Sequence, residues 1–189
     1  MTYRYIPVVR TKAGEAEALD ELSAAAKAKI LPLVAMTRAV PATFLPKMIQ
    51  RLAGFPIALS GVYNYSVTRS ALAFSALFHG LGNGGIPVIP SVPVNGDPTY
   101  VAAVSSVVGQ YSAGLVVTVH LSDLNQAAAW VAGRGWAPSS IDLIINVGEV
   151  SQHVVASFAG YVVHTLNAYA ATMPAWRSVT LNASSAPQD

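Results

Sequence analysis

The chain has 189 residues, 53% hydrophobic and 11% charged, with a mean hydropathy of +0.46; it is long enough for one packed domain and too apolar to be disordered. It contains no cysteine, which excludes a disulfide framework, a thiolate nucleophile and any Cys-based zinc or iron–sulfur site. The net charge of +2 is unevenly placed, because no acid occurs from Leu22 to Gly96 while Lys27, Lys29, Arg38, Lys47, Arg51 and Arg69 lie in that span. These cations are spaced singly, with neither a Lys/Arg run nor interleaved aromatics, so the basic face reads as solvated surface rather than as a nucleic-acid interface.

Taken in chain order, a short β-branched run, a polar turn and a helix-spaced apolar stripe recur down the sequence. The predicted strands are Tyr3 to Val9, Ile30 to Met36, Pro56 to Val62, Ile86 to Val92, Gly114 to His120, Ile141 to Val147 and Trp176 to Leu181. They begin roughly 25 to 35 residues apart, the length of one βα unit with its return loop. The first helix is predicted over Gly14 to Lys29, with Glu15 in the opening turn and Leu19, Leu22 and Ala26 on its buried face. A fourth helix opens at Asp97-Pro98, a cap followed by proline at the first helical position, and carries Tyr100, Val104, Val107, Val108 and Tyr111 on one stripe. A fifth starts at Ser122 with Leu124, Ala127, Ala128 and Val131 aligned, and a sixth runs from about Ser151 to Met173 with Val155, Phe158, Val162 and Leu166 inward.

The runs from Ala71 to Phe78 and from Ile141 to Val147 are too short to span a bilayer. The opening Met1-Thr2-Tyr3-Arg4-Tyr5-Ile6-Pro7 lacks the charged head and long apolar middle of a signal peptide, so a cytoplasmic location is expected. Strict βα alternation with nearly continuous apolar strands implies a parallel sheet covered by helices. One α/β domain over residues 1–189 is expected, with a frayed tail at 183–189. Its architecture is expected to be a parallel (β/α) TIM-like barrel, incomplete at about seven units; the alternative is an open doubly wound sheet.

The segment Tyr5-Ile6-Pro7-Val8-Val9-Arg10-Thr11-Lys12-Ala13-Gly14-Glu15, then Ala18-Leu19 and Lys29-Ile30-Leu31-Pro32-Leu33, resembles the opening of the bacterial and phage beta protein family. Ile89-Pro90, Asp142-Leu143-Ile144-Ile145 with Gly148-Glu149-Val150, and Trp176-Arg177-Ser178-Val179 are similar to its later strands. The resemblance covers most of the chain and implies a TIM-like barrel associated with phage and mobile-element genes, without a defined reaction. Relatives often carry an acid at the ends of the second, third and sixth strands and an arginine at the end of the fifth. Here Ala35, Ser60 and Asn146 occupy the first three places and His120 or a neighbour the last, so charge-dependent chemistry the relatives share is not expected to carry over. Relatives also usually continue beyond a seventh strand.

In parallel βα folds ligands meet the loops at the carboxyl ends of the strands. That rim is expected to present Arg10, Lys12, Asn64, Ser91, His120, Asn146, Glu149 and Asn182, with Glu15 nearby. Its cations, amides and single histidine suit an anionic or polar ligand; the competing reading is that Arg10 and Lys12 merely pair with Glu15 or Glu149 at the surface. Gly80-Leu81-Gly82-Asn83-Gly84-Gly85 leaves a helix and enters a strand, the wrong order for a phosphate loop, and reads as a helix cap and return. His153 and His164 fall on one helix about 16 Å apart and cannot share a metal. His79 lies beside the helix-ending glycines, and only His120 stands at a strand end. No Gly-x-Ser-x-Gly elbow or dinucleotide fingerprint occurs, so no metal and no cofactor are expected.

The resulting expectation is a binding or interaction protein whose ligand-binding residues are Arg10, Lys12, Glu15, His120, Asn146 and Glu149. The alternative is a metal-independent hydrolase or lyase using His120 as base with Glu149 or Glu15 as acid. The expected partners are a small anionic or polar ligand, or a protein chain completing the open sheet edge. That partner could be a second copy of this chain.

Overall fold

The computed structural model describes residues 5–110, 114–149 and 155–184. Its seven strands pair in chain order, β1-β2-β3-β4-β5-β6-β7, and the β1–β4 and β6–β7 pairings are parallel. The architecture is the parallel α/β fold expected from the alternation; the incomplete barrel fits this order, and an open sheet is compatible with it. Because the chain never doubles back in the sheet, the place such a fold offers a ligand is the row of strand carboxyl ends. The chain forms two compact units, Met1–Val92 with Gly96–Val116, and Pro93–Asn95 with Val117–Asp189.

In the first unit the strands are β1 (Val8–Arg10), β2 (Leu33–Ala35), β3 (Ile57–Ser60) and β4 (Val88–Pro93). Ile57, Ala58 and Leu59 are all buried, as are Val88, Ile89 and Val92, so consecutive residues are covered on both faces, as a helix-clad parallel sheet requires. The strands are shorter than their apolar runs. Pro7 can donate no ladder hydrogen bond. It only accepts, from Leu33 N at 2.8 Å, while Tyr5 makes a single bridge to Ile30.

The helices of this unit are α1 (Ala13–Asp20), α2 (Ala24–Lys27), α3 (Phe44–Leu52), α4 (Val62–Thr68), α5 (Leu72–Asn83) and α6 (Pro98–Val107). The single helix predicted over Gly14 to Lys29 is in fact two: Ser23 caps α2 by accepting from Ala26 N, and Lys27 Nζ reaches back to Asp20 O at 2.8 Å. Leu19 is buried, but Leu22 and Ala26 are only partly covered, because they line an open groove. Phe44, Met48 and Leu52 on α3 and Phe74, Leu77, Phe78 and Leu81 on α5 form the apolar stripes that cover the sheet. The glycine-rich stretch ends α5 as expected, with Gly85 at φ +82°, and it also lets two helices approach. A Cβ on Gly80 would lie 2.7 Å from Leu45 Cδ2 of α3. Asp97 caps α6 by accepting from Thr99 N, with Pro98 following, as predicted; Tyr111 lies outside the described residues.

In the second unit β5 (Leu115–His120), which starts in the first, leads into a 3-10 turn over Leu121–Gln126. Next come α7 (Ala127–Ala132), β6 (Ile141–Glu149), α8 (Val155–Ala170) and β7 (Ser178–Ser184). The fifth predicted helix therefore begins as 3-10, and only Ala127 to Ala132 is α-helical. His153 lies outside the described residues. The foot of β6 and β7 is pinned by Asp142, fully buried, which accepts from Arg177 Nε at 2.9 Å and Nη2 and from Ser178 Oγ at 2.7 Å. Among the described residues no helix is long and apolar enough to cross a membrane.

Candidate functional site

The carboxyl ends of β1, β2 and β3 place Arg10, Ala35 and Ser60 in one row, through the register pairs Arg10↔Ala35 and Ala35↔Ser60. Side chains alternate along a strand, so Val9 and Arg10 face opposite ways. Val9 lines a groove with Tyr5, Pro7, Glu15, Leu19, Leu22 and Ala26. Arg10 lines a cavity of about 560 Å³ with Ala35, Met36, Thr37, Arg38, Ala39 and Tyr63, within the usual size for small-molecule sites.

The loop that carries Arg38 is clamped on two sides. Thr11, fully buried just past β1, accepts from Thr37 N at 3.0 Å. Its hydroxyl also meets Thr37 Oγ1 at 2.7 Å, and Thr37 Oγ1 in turn donates to Ala39 O at 2.9 Å. From the other side the buried amide of Asn64 on α4 donates to both Thr37 O and Arg38 O, each at 3.0 Å. Arg38 thus leaves a backbone segment whose polar groups are largely spoken for, and a preorganised segment loses less entropy when a ligand binds.

Charge in this unit divides sharply. Lys47 pairs with Glu17 at 2.9 Å, Arg51 with Asp20 at 3.3 Å and Lys27 with Asp20 at 3.5 Å. The hydrogen bond and charge of Lys47 hold the Glu17 carboxyl below its ordinary range. Glu17 and Asp20 of α1 are therefore used against α2 and α3. Arg10 and Arg38 have no ion-pair partner among the described residues, and no acid lines their cavity.

Beneath this row, Tyr100 ties β3 to β4. Its hydroxyl accepts from Gly61 N at 2.8 Å and donates to Ser91 O at 3.0 Å, with the ring buried against Phe74 and Tyr65. Burial pushes its pKa well above the ordinary tyrosine value. Tyr65 donates to Asp97 at 2.8 Å, and that bond, with the Thr99 amide, lowers the Asp97 carboxyl.

Of the residues expected on the rim, Ser91 and Asn64 are buried instead of presented to a ligand. Ser91 sits inside a strand that runs on to Pro93, and Asn64 is consumed in clamping the Arg38 loop. Lys12 is the exposed cap position of α1, outside the Arg10 cavity, and Glu15 lines the other groove. In the second unit the exposed His120 ends β5, and its Nδ1 lies 3.0 Å from Ser122 Oγ. A Cβ on Gly148 would lie 3.6 Å from His120 Nε2, which sets the histidine beside the bulge between Asn146 and Gly148. The acceptor of Asn146 is taken by Gly148 N at 2.9 Å, and Asn146 pairs in register with Asn182. The Glu149 side chain lies outside the described ones.

Arg38 and Tyr63 join Arg10 in the cavity, and sequence reading passed over both as site residues. The available signal was position: Arg38 lies three residues past the end of β2, and Tyr63 three past the end of β3. Neither the search of curated proteins nor that of solved structures found a match. The family model described as Beta protein matches residues 5–189, so the motif quoted from the first strand extends into a match over nearly the whole sequence, and the chain belongs to the beta protein family.

Proposed function

We propose that this chain is a binding protein that takes an anionic ligand in the cavity at the ends of β1 and β2, through the guanidinium groups of Arg10 and Arg38. The observation that carries the reading is that both cations line one cavity, lack an ion-pair partner among the described residues and face no acid there. Guanidinium stays protonated at any physiological pH and presents a planar fork that matches phosphate or carboxylate oxygens. The cytoplasmic location and the link to phage or mobile-element genes belong to the same reading, and neighbouring genes would test the latter.

Isothermal titration and thermal shift against phosphates, nucleotides and sugar phosphates test the site. A ligand at 100 times its Kd stabilises the folded state by about 2.7 kcal/mol, a readily measured shift, and Arg10→Ala or Arg38→Ala should reduce it. A folded protein with no response to any of these anions removes the proposal.

A second reading, a metal-independent hydrolase or lyase with His120 as base, draws on the contact between His120 Nδ1 and Ser122 Oγ. Ser122 also lines a cavity of about 250 Å³ with Tyr161, Thr165 and Tyr169. Turnover of chromogenic esters that survives His120→Ala would rule it out.

A further inference from the structure

Resting on the anion-binding reading above, we infer that the ligand is a phosphate monoester carried on a planar aromatic group, with a nucleoside monophosphate as the natural probe. Three features of the Arg10–Arg38 cavity converge on this chemistry. The first is charge: two guanidinium groups without ion-pair partners among the described residues match the charge of about −1.5 to −2 on a phosphate monoester at pH 7 better than they match one carboxylate. The second is size, because about 560 Å³ leaves most of the space for what the phosphate is attached to.

The third feature is the rest of the wall. Ala35, Met36, Ala39 and the ring of Tyr63 are apolar, and the Thr37 hydroxyl is already engaged with Ala39 O and Thr11. A polyhydroxylated body would find few side-chain groups to answer its hydroxyls, and leaving them unanswered costs affinity. A flat aromatic body needs only a surface. Tyr63 supplies one: it is 59% exposed on α4 while its neighbours Asn64 and Tyr65 are buried, and a Tyr ring gives stacking area at the cost of two torsions.

Calorimetric titration of the full chain with AMP, adenosine, ribose 5-phosphate and inorganic phosphate separates the two levels of the reading. AMP should bind at least about 5-fold more tightly than ribose 5-phosphate, since stacking one base carries about 1–3 kcal/mol. Tyr63→Ala should remove this advantage and leave ribose 5-phosphate binding unchanged, whereas Tyr63→Phe should retain it. Arg10→Ala and Arg38→Ala should weaken every phosphate compound. Ribose 5-phosphate or phosphate binding as tightly as AMP, still sensitive to both arginines, would overturn the aromatic inference and leave the anion site standing. AMP binding that ignores both arginine substitutions, or no binding of any probe to a protein shown to be folded by circular dichroism, would overturn both.

Discussion

Replacing Tyr100 by Phe removes one oxygen and leaves two buried backbone groups without their partner, the Gly61 N–H and the Ser91 carbonyl. The ring itself stays in place against Phe74 at 5.4 Å and Tyr65 at 5.6 Å, so apolar burial is almost unchanged and the loss is polar. Each orphaned buried group costs about 1–3 kcal/mol, which puts Tyr100→Phe at about 2–6 kcal/mol. For a chain of this length each kcal/mol lowers Tm by about 2–4 °C, so a fall of about 4–24 °C is expected. The phenol also predicts a pH effect of definite sign. Its folded pKa is raised by burial, so the unfolded chain loses this proton first; the stabilisation is complete below the unfolded value and declines as pH rises above it. Wild type should therefore lose stability above about pH 10 more steeply than Tyr100→Phe. Urea melts at pH 8 and pH 10.5 check both parts. A variant within 0.5 kcal/mol of wild type at pH 8 would refute the account of Tyr100 as the tie between β3 and β4.

Asp142→Asn should destabilise the second unit by about 3 kcal/mol, because it leaves the Arg177 guanidinium facing an amide in place of a buried carboxylate; a thermal melt unchanged from wild type would contradict this. Asn64→Asp should release the Arg38 loop, since a carboxylate cannot donate to Thr37 O and Arg38 O, and should raise hydrogen exchange at Thr37 N more than at Leu59 N. We also propose self-association through the region of β7, where Val179 and Leu181 are 42% and 49% exposed two residues apart on one face of the last strand in the sheet order. Sedimentation should show a dimer that Leu181→Lys dissolves, and a clean monomer at high concentration would remove that expectation.

The strand centres were legible because burial on both faces leaves unbroken apolar runs such as Ile57-Ala58-Leu59 and Leu115-Val116-Val117. Strand ends were not, since pairing depends on partners outside the window: from Tyr5 on the run looks continuous, yet Pro7 interrupts the ladder and leaves a single bridge at Tyr5 before the paired stretch Val8–Arg10. The first helix was misread for a related reason. Leu19, Leu22 and Ala26 keep helical spacing because α1, the link and α2 line the same groove, and the periodicity hides the cap at Ser23. At the site, Arg10 was readable as a cation at a strand end. Arg38 was visible only as one of six cations in an acid-free span, because what sets it apart is that Lys27, Lys47 and Arg51 find carboxylates on α1. Tyr63 offered only its place three residues past β3, where an aromatic reads as packing rather than as a site.

Ala35 stands where the family resemblance implies an acid. Relatives are expected to carry an acid at the end of the second strand, and here that place is in register with Arg10 and lines the same cavity. Parallel neighbours stand about 4.8 Å apart, so a carboxylate at 35 would lie within ion-pair reach of the Arg10 guanidinium. Two unit charges at 4 Å attract by about 4 kcal/mol at an effective dielectric of 20, and the exposure of Arg10 reduces this to about 1 kcal/mol. That energy must be surrendered before an anion can take the arginine, and the ligand meets the new negative charge besides. Ala35→Asp should thus weaken phosphate-compound binding by at least about 10-fold, with the loss smaller at high salt because screening blunts the repulsion. Affinity unchanged in a folded Ala35→Asp protein would mean that Arg10 is not where the anion binds. The expected loss would mean that a missing acid is what frees this strand end to hold one.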